Sequence, residues 1–358
     1  MSLAVTVLKN SAVLLLFLLF ISCGTKNKEY ANNVFPYSQF PQEKELKGEV
    51  IELDTALFRC PFRIRVEGDK AIVLDLHGSD YYGHLFQYPS FRYLSSFGRR
   101  GDSPLEMLSM ENFRLHNHTL WTLDANKSEL TRLDFSSSGD SLLREETVAL
   151  DEDILRPLDF AIYNDTTFVI PDYSGESRFL KVDCKGKLIE KIGTIPTTNK
   201  KALQEARPAL AQAWRSFLDY NSHNSVLATV TQLGEVVEIY NLKDSTHVIR
   251  VGEYDEPEFK VSDGYGIPTG IMGFSDVQVT DDAIYAVFHG TSFKDIARQS
   301  GRLSDGGKYI YVFSLKGEPL CKYVLDHYIY GIWVDEVTKT IMATDVNNDQ
   351  PILKFSFG

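Results

Sequence analysis

The sequence has few cysteines and no excess of basic residues. Four cysteines among 358 residues do not make the disulfide framework of a small secreted domain. Lysine and arginine number 37 against 49 aspartates and glutamates, so the formal net charge is −12. Binding to a phosphate backbone needs a basic surface, so we expect no nucleic-acid partner. The cysteine spacings match no zinc pattern and no phosphate-loop motif occurs, so we expect no metal and no cofactor.

Long apolar runs are also missing, apart from one near the N-terminus. Residues 12–21 form an apolar run of ten residues, whereas a membrane-spanning helix needs roughly 20. The run therefore predicts the hydrophobic region of a signal peptide. It leads into Phe20-Ile21-Ser22-Cys23-Gly24, which is similar to a bacterial lipobox with Phe20 where leucine is usual. We expect lipidation of Cys23; an uncleaved anchor, or a secretory signal with an incidental cysteine, are the alternatives.

These features predict how the N-terminal region is organised. Residues 1–22 are predicted as a lipoprotein signal peptide and 23–47 as a lipidated tether, because the latter segment is polar and has no apolar period. The lipid would anchor the protein to a membrane of the bacterial cell envelope. Lys26 and Lys28 follow the cysteine where some surface lipoproteins carry acidic residues, which favours a periplasm-facing anchor over a surface-exposed one. We expect the three remaining cysteines to be buried small hydrophobic side chains: Cys60, Cys184 and Cys321.

The rest of the sequence repeats. Residues 64–75, 113–124 and 160–172 each contain a short strand, a tight turn of glycine, asparagine or aspartate, and a second strand that ends in aspartate. Two further strands follow, as in residues 179–183 and 188–193, and three less regular units lie downstream. Four strands in a unit of about 50 residues are typical of a propeller blade.

The two ends of the repeat region complement each other. The sixth unit stops at Gly358 one strand short, while a strand predicted over 48–54 has no hairpin partner. A ring of blades has to close, because an open sheet edge invites aggregation. We therefore predict an all-β fold over residues 48–358, a six-bladed β-propeller with four-stranded blades, in which 48–54 is the outer strand of the last blade.

One insertion has helical character. Residues 197–214 are rich in alanine and other good helix formers. Thr198 or Asn199 could cap a helix there, and Pro208 would kink or split it. We expect one or two short helices between the third and fourth blades.

Two other insertions are long loops. Residues 263–273 contain four glycines, and residues 289–307 lie between the second and third strands of the fifth unit. Loops of such length commonly carry function or disorder. Together with the helical insertion, they are the places where we expect a site.

Two stretches carry a resemblance to a known family. Residues 97–107 are similar to a Gly/basic/Gly…Gly-Pro-x-Glu-Phe crossover, with Ser103 in place of glycine and Met107 in place of phenylalanine. Residues 273–287 and 312–319 form the second stretch. The chain thereby resembles the TolB-like six-bladed β-propeller lipoproteins of Gram-negative bacteria. The resemblance implies the fold and supplies no catalytic residues.

Several residue patterns could carry chemistry. His116 and His118 are two residues apart and could share a metal on one side of a strand, although a solvated hairpin turn is the favoured interpretation. Aspartates close the second strand of four units and could form a carboxylate ring, but we expect them to bind the backbone of their own turns: Asp75, Asp124, Asp172 and Asp345.

Two further patterns concern binding. Arg100-Gly101-Asp102 spells an adhesion tripeptide, but it lies within the crossover motif, which accounts for it. Four tyrosines could form a stacking surface for sugars or peptides: Tyr81, Tyr82, Tyr328 and Tyr330.

Together these observations predict a non-catalytic binding or scaffolding lipoprotein. Loops on one face of a monomeric propeller would hold an envelope protein or a glycan. The alternative is a hydrolase or lyase with a carboxylate site at the central channel; a third possibility is a sensor or assembly subunit of an envelope complex. Carboxylates and an arginine that converge in one pocket with shifted pKa values would favour an enzyme. An aromatic patch without such a cluster would favour binding.

Overall fold

A computed structural model describes residues 33–54, 58–299 and 304–358. The predicted signal peptide and Cys23 lie outside the described residues. No helix among the described residues is long and apolar enough to cross a membrane. The described residues form six sheets, which are the blades of a propeller; each has four antiparallel strands, and two of them have a fifth, parallel strand at the edge.

The strands follow the order of the chain. Three short strands come first: β1 (Val34–Pro36), β2 (Gln42–Leu46) and β3 (Glu49–Ile51). Blade 1 contains β4 (Pro61–Glu67), β5 (Lys70–Asp75), β6 (Tyr81–Gln87) and β7 (Arg92–Arg99). Blade 2 contains β8 (Met110–His116), β9 (Thr119–Asp124), β10 (Glu129–Phe135) and β11 (Leu142–Ala149). Blade 3 contains β12 (Ala161–Asn164), β13 (Thr167–Pro171), β14 (Phe179–Asp183) and β15 (Leu188–Ile192).

The second half of the ring begins after two helices. These are α1 (Lys200–Glu205) and α2 (Arg207–Ala213). Blade 4 contains β16 (Ser216–Asn221), β17 (Val226–Thr231), β18 (Val236–Asn241) and β19 (Thr246–Val251), and a hairpin of β20 (Phe259–Ser262) and β21 (Tyr265–Pro268) follows it. Blade 5 contains β22 (Phe274–Val279), β23 (Ala283–Phe288), β24 (Gly307–Ser314) and β25 (Pro319–Ile329), with α3 (Phe293–Arg298) between β23 and β24. Blade 6 contains β26 (Ile332–Asp335), β27 (Thr340–Thr344) and β28 (Ile352–Ser356).

Burial explains why the strands differ in sequence. The first strands of neighbouring blades contact one another and surround the central channel. The second strands are covered on both faces by adjacent blades, so β5 reads Ala-Ile-Val-Leu and all four of these residues are buried. The outer strands face solvent on one side, and β11 is accordingly mostly polar. The core therefore consists of clusters between blades rather than one central mass.

The ring closes as the sequence predicted. Strand β3 pairs antiparallel with β28, and Ile51 lies opposite Ile352. Blade 6 thus takes its outer strand from the N-terminal side of the chain and its other three strands from the C-terminal end. This pairing joins the two ends of the repeat region without an open edge at blade 6.

The segment before β3 differs from the prediction. Strand β1 pairs parallel with β19 at the outer edge of blade 4, and β2 pairs parallel with β25 at the outer edge of blade 5. These two strands lie within the tether predicted over residues 23–47, and they bind the propeller instead. Tyr37 and Leu46 are buried there, and the Tyr37 ring packs edge-on against Phe40 at 5.6 Å between centroids. Each strand buries so few side chains that the segment shows no apolar period.

The predicted helices between blades 3 and 4 are present. The side chain of Asn199 accepts a hydrogen bond from the backbone N–H of Ala202 and so caps α1. Pro208 lies in the first turn of α2, where its missing N–H costs nothing, and the insertion is split there into two helices. Leu210 and Trp214 bury this insertion against blade 4.

The two predicted loops contain regular structure. Residues 263–273 include the second strand of the β20–β21 hairpin. The four glycines of this segment had indicated a loop instead of a strand. Residues 289–307 connect β23 to β24 as predicted and contain α3, capped by the Ser292 side chain. We call the face that carries these loops the loop face; it also carries the crossovers that lead into each first strand. The opposite face, which carries the turns between first and second strands, is the turn face.

Candidate functional site

Charged side chains line the wall of the central channel. Three arginines and three aspartates lie on the first strands or immediately before them, and we call them the channel belt: Arg63, Arg65, Arg114, Asp159, Asp219 and Asp276. Asp276 lies 3.4 Å from the Arg63 Nε and 3.0 Å from an Arg65 nitrogen. Arg114 and Asp159 lie 2.6 Å apart. The ion pairs join strands that are far apart in the sequence.

The carboxylates of the belt also bind the backbone of the next blade. The backbone N–H of Leu218 donates to Asp159 at 3.0 Å, and that of Val279 donates to Asp219 at 2.8 Å. The N–H of Ile332 donates to Asp276 at 2.9 Å. The same link thus connects blades 3 to 4, 4 to 5 and 5 to 6. A buried carboxylate in this arrangement holds neighbouring blades in register.

Burial shifts the pKa values of the belt in different directions. Burial raises the pKa values of Asp159 and Asp219 above their ordinary value. Burial would also raise the pKa of Asp276, but Arg63 and Arg65 outweigh it and hold that pKa below its ordinary value. The Arg63 guanidinium is 1% exposed, and desolvation lowers its pKa to about 10. Burial thus decides the direction of the shift for Asp159, Asp219 and Arg63, and ion pairing decides it for Asp276.

A cavity of about 440 Å³ opens at the loop-face end of the channel. We call it the mouth cavity. Aromatic rings form much of its wall: Phe62, Tyr82, Phe217, Phe274 and Tyr330. The crossovers and the loops between second and third strands supply the other lining groups, so five blades contribute. Its volume falls in the range of small-ligand pockets.

Polar side chains are fixed at the rim of the mouth cavity. The Arg100 guanidinium lies 3.9 Å from the centre of the Tyr82 ring and donates to the Leu76 carbonyl at 3.0 Å. Arg215 pairs with Glu111 at 3.5 Å, and both side chains are partly exposed. Stacking and pairing hold these groups in place before any ligand arrives. The rim therefore presents preorganised hydrogen-bonding groups beside aromatic rings. Phe62 and Tyr330 are partly exposed, whereas the other three rings are almost fully buried.

Known proteins share this six-bladed architecture. A family model described as TolB-like 6-blade propeller-like matches residues 39–337. The chain belongs to the TolB-like six-bladed propeller family. The search of curated proteins found no match.

Solved structures share the fold of this TolB-like propeller at low sequence identity. A protein from Bacteroides fragilis that is described as a putative exported protein is 12% identical with a TM-score of 0.54, and the alignment covers 90% of this chain and 98% of that one. A member of the duf4221 family from Bacteroides vulgatus is 10% identical with a TM-score of 0.55, covering 88% and 98%. An auxiliary nutrient binding protein from Bacteroides ovatus is 10% identical with a TM-score of 0.52, covering 84% and 70%. At such identities the likeness shows the fold alone.

The two candidate histidines contact different blades. His116 lies 2.8 Å from Asp165 of blade 3, whereas His118 lies 3.2 Å from Glu67 of blade 1. His116 is the last residue of β8 and His118 lies in the turn between β8 and β9, in agreement with the turn interpretation. Among the described residues, no cluster of three potential metal ligands occurs.

The four strand-closing aspartates bind their own turns. Each accepts a hydrogen bond from the backbone N–H two residues further on, at 3.2, 3.1, 2.8 and 2.8 Å for Asp75, Asp124, Asp172 and Asp345. This confirms the structural interpretation. These carboxylates accept backbone hydrogen bonds within their own turns and do not form a ring.

The remaining candidates are divided among several environments. Arg100 of the Arg-Gly-Asp tripeptide belongs to the rim of the mouth cavity, within the crossover. Of the four tyrosines, Tyr82 and Tyr330 line the mouth cavity, and Tyr328 lines a second cavity beside it. The expectation of three buried cysteines is correct for Cys321 only, since Cys60 and Cys184 are partly exposed. Burial raises the pKa of the Cys60 thiol to about 11.

The channel belt and the Glu111–Arg215 rim pair are functional candidates that the sequence did not predict. A signal for the belt was present, because Asp219 and Asp276 each place a charge in a first strand whose other residues are mostly apolar. Comparison of the first strands of successive units would have shown these charges. Nothing local marks Glu111 and Arg215 as partners, because the ring alone brings β8 and the start of β16 together.

Proposed function

We propose that this TolB-like propeller is a lipid-anchored, non-catalytic binding module of a bacterial envelope, and that it holds a saccharide segment in the mouth cavity. One observation carries the proposal: a concave aromatic wall lies beside a rim of fixed hydrogen-bonding side chains. A pyranose ring has an apolar face and a periphery of hydroxyls, which such a site complements.

The dimensions of the site favour a small ligand over a folded partner. Stable protein–protein interfaces bury about 800 Å² on each partner and are broad surfaces. The mouth cavity is a recess of about 440 Å³ whose wall is drawn from five blades. A segment of one to three sugar units has about the right size, within the range of small-ligand pockets.

The channel charges support a binder rather than a hydrolase or lyase. Asp159 and Asp276 are almost fully buried and are bound by arginines and backbone N–H groups. Asp219 lines a smaller cavity at the turn-face end, but one of its oxygens accepts from the Val279 N–H. Asp281 also lines this cavity, where it pairs with His223 and accepts from the Asn221 amide. Both carboxylates are thus already bound by the protein, which does not favour the free acid and base pair that glycoside cleavage uses.

The anchoring and the location are part of the same proposal. They rest on the lipobox-like sequence at Cys23, where several acyl chains would hold the protein stably at a membrane. Two Bacteroides proteins that share the fold, one described as a putative exported protein and one as an auxiliary nutrient binding protein, agree with this proposal.

Calorimetric titration with a panel of neutral and acidic oligosaccharides tests the proposal. We expect one saccharide class to bind the wild type, and Arg215→Gln to weaken binding about tenfold because a rim hydrogen bond to the ligand is lost. Arg92→Gln changes an exposed arginine on the outer strand of blade 1 and serves as the control, with unchanged affinity.

The same samples are analysed for products after prolonged incubation. Recovery of the intact saccharide agrees with a binding module. Cleavage of the saccharide would support the enzyme instead. Binding of an envelope protein, with no response to any saccharide, would replace the ligand class proposed.

A further inference from the structure

A second cavity, of about 650 Å³, lies beside the mouth cavity between blades 4 and 5. We call it the side cavity. Residues Tyr37 to Phe40, which connect β1 to β2, form one of its walls, and β24 and β25 form another. His289 lines both cavities and separates them. The N-terminal strands that bind the edges of blades 4 and 5 thus complete this cavity.

Aromatic rings surround the inner part of the side cavity. The Tyr311 ring lies 6.4 Å from Tyr37 at 88°, 4.7 Å from Phe40 and 4.8 Å from Phe288, measured between centroids. Tyr254 lies 6.2 Å from Phe288 and is 49% exposed. Such a set of rings offers electron-rich faces to a ligand.

The carboxylate of Glu235 is placed among these rings. Its side chain lines the cavity, although the residue is only 3% exposed. One of its oxygens accepts from the backbone N–H of Tyr254 at 3.1 Å. Among the described residues, no basic side chain forms an ion pair with Glu235 or with Glu253, which also lines the cavity.

The surroundings of Glu235 shift its pKa and those of two neighbouring tyrosines. Burial raises the pKa of Glu235, and the charge of Glu253 raises it further. Burial and the Glu235 charge together raise the pKa values of Tyr37 and Tyr311 well above the ordinary range. The Glu235 carboxyl group thus lies in the inner part of the side cavity with no cationic partner among the described side chains.

The lysines of the side cavity do not compensate that charge. Lys322 pairs with Glu43 at 2.6 Å and lies 5.1 Å from the centre of the Tyr309 ring. Lys308 lies 5.4 Å from the centre of the Tyr328 ring. The cavity thus has a lysine-bearing part on β24 and β25 and an acidic aromatic part at Glu235.

His289 adds an unused polar atom to the wall. The residue is 8% exposed, and its Nε2 has no hydrogen-bond partner among the described residues. Burial lowers the pKa of His289 to about 4, so the ring is neutral near pH 7. A neutral imidazole can accept a hydrogen bond from a ligand without adding positive charge.

We propose that the side cavity binds the ammonium group of an organic cation, with Glu235 as its counter-ion and Tyr254 and Tyr311 as its aromatic walls. A buried carboxylate without a cation is costly, and a ligand ammonium would offset that cost while it gains cation–π contacts. A neutral sugar would leave the Glu235 charge uncompensated. This site is independent of the saccharide site proposed for the mouth cavity.

Ligand-observed nuclear magnetic resonance and calorimetry with small probes test the proposal. Tetramethylammonium and n-butylammonium are compared with tert-butanol and n-butanol, which have similar shapes and no charge. We expect the ammonium probes to bind the full chain and the alcohols to bind at least about tenfold more weakly. A peptide with a blocked N-terminus and one lysine then distinguishes a lysine side chain from a free amine as the source of the group.

Matched variants locate the binding. Glu235→Gln keeps the size of the side chain, and we expect at least about tenfold weaker ammonium binding; Tyr254→Ala, at a half-exposed position, should also weaken it. Glu190→Gln on β15 and Arg215→Gln in the mouth cavity should bind as the wild type does. Equal binding of the alcohols, full affinity in both Glu235→Gln and Tyr254→Ala, or no ammonium binding by the folded wild type would each overturn the proposal.

Discussion

At the scale of single residues, the ion pairs and hydrogen bonds of the channel belt hold neighbouring blades together. Arg63 and Asp276 are 1% and 2% exposed, so their charges have lost most of their hydration. Desolvation of this kind is offset only when each charge has a partner and further hydrogen bonds. Asp276 has both, because it faces Arg63 and Arg65 and accepts from the Ile332 N–H. Loss of one partner therefore costs far more than loss of an exposed charge.

Asp276→Asn tests this coupling. The substitution leaves the buried Arg63 and the largely buried Arg65 without their counter-ion, and we expect the free energy of unfolding to fall by about 3–5 kcal/mol. Asp140→Asn, at an exposed position, should change it by less than about 0.5 kcal/mol. Urea unfolding followed by tryptophan fluorescence measures both variants. Equal stability of the two would mean that the belt does not hold the blades together.

The free energy of unfolding should depend on pH through the titration of Asp276. The folded-state pKa of Asp276 is below its ordinary value of 3.8, so the folded protein releases this proton more readily than the unfolded chain. The contribution of Asp276 is therefore present above about pH 4 and is lost as the pH falls through the lower folded-state value. Asp276→Asn should lack this part of the acid dependence.

At the scale of secondary-structure elements, the predictable parts are those with a local signal. The hairpins of blades 1 to 3 were predictable because two apolar strands flank a short turn of glycine, asparagine or aspartate. The Asn199 cap and the Pro208 break were predictable for the same reason. Strands β1 and β2 were not, because a parallel strand at a sheet edge takes its hydrogen bonds from a distant partner. The cavities were not predictable either, since their walls come from several blades.

Truncation tests the role of β3 in ring closure. A chain that begins at residue 47 keeps β3 but lacks β1 and β2, and we expect it to unfold cooperatively with a moderately lower Tm. A chain that begins at residue 58 lacks β3 as well, which exposes the edge of β28. We expect this second chain to lose cooperative unfolding and to aggregate. Differential scanning calorimetry and light scattering compare them, and equal Tm values would show that β3 does not close the ring.

At the scale of the whole molecule, the N-terminal strands relate the proposed anchor to the two cavities. Strand β1 runs parallel to β19, and Asn33 lies 3.2 Å from His247 near the start of that strand. Successive strands of a blade run in opposite directions, so β16 and β18 end at the turn face and β17 and β19 begin there. The chain therefore reaches blade 4 from the turn face, while both cavities are formed by elements of the loop face.

The position of the anchor predicts how the propeller is oriented on a membrane. Cys23 is ten residues before Asn33, a distance of at most about 35 Å, so lipidation would hold the turn face towards the bilayer and the cavities away from it. Fluorophores at Leu105→Cys on the loop face and Val337→Cys on the turn face test this in a chain whose other cysteines, except Cys23, are replaced by serine. Energy transfer to an acceptor in the bilayer should be stronger from position 337. Stronger transfer from position 105 would mean that the cavities face the membrane, and no transfer in either sample, as in a Cys23→Ser control, would mean that the chain is not anchored there.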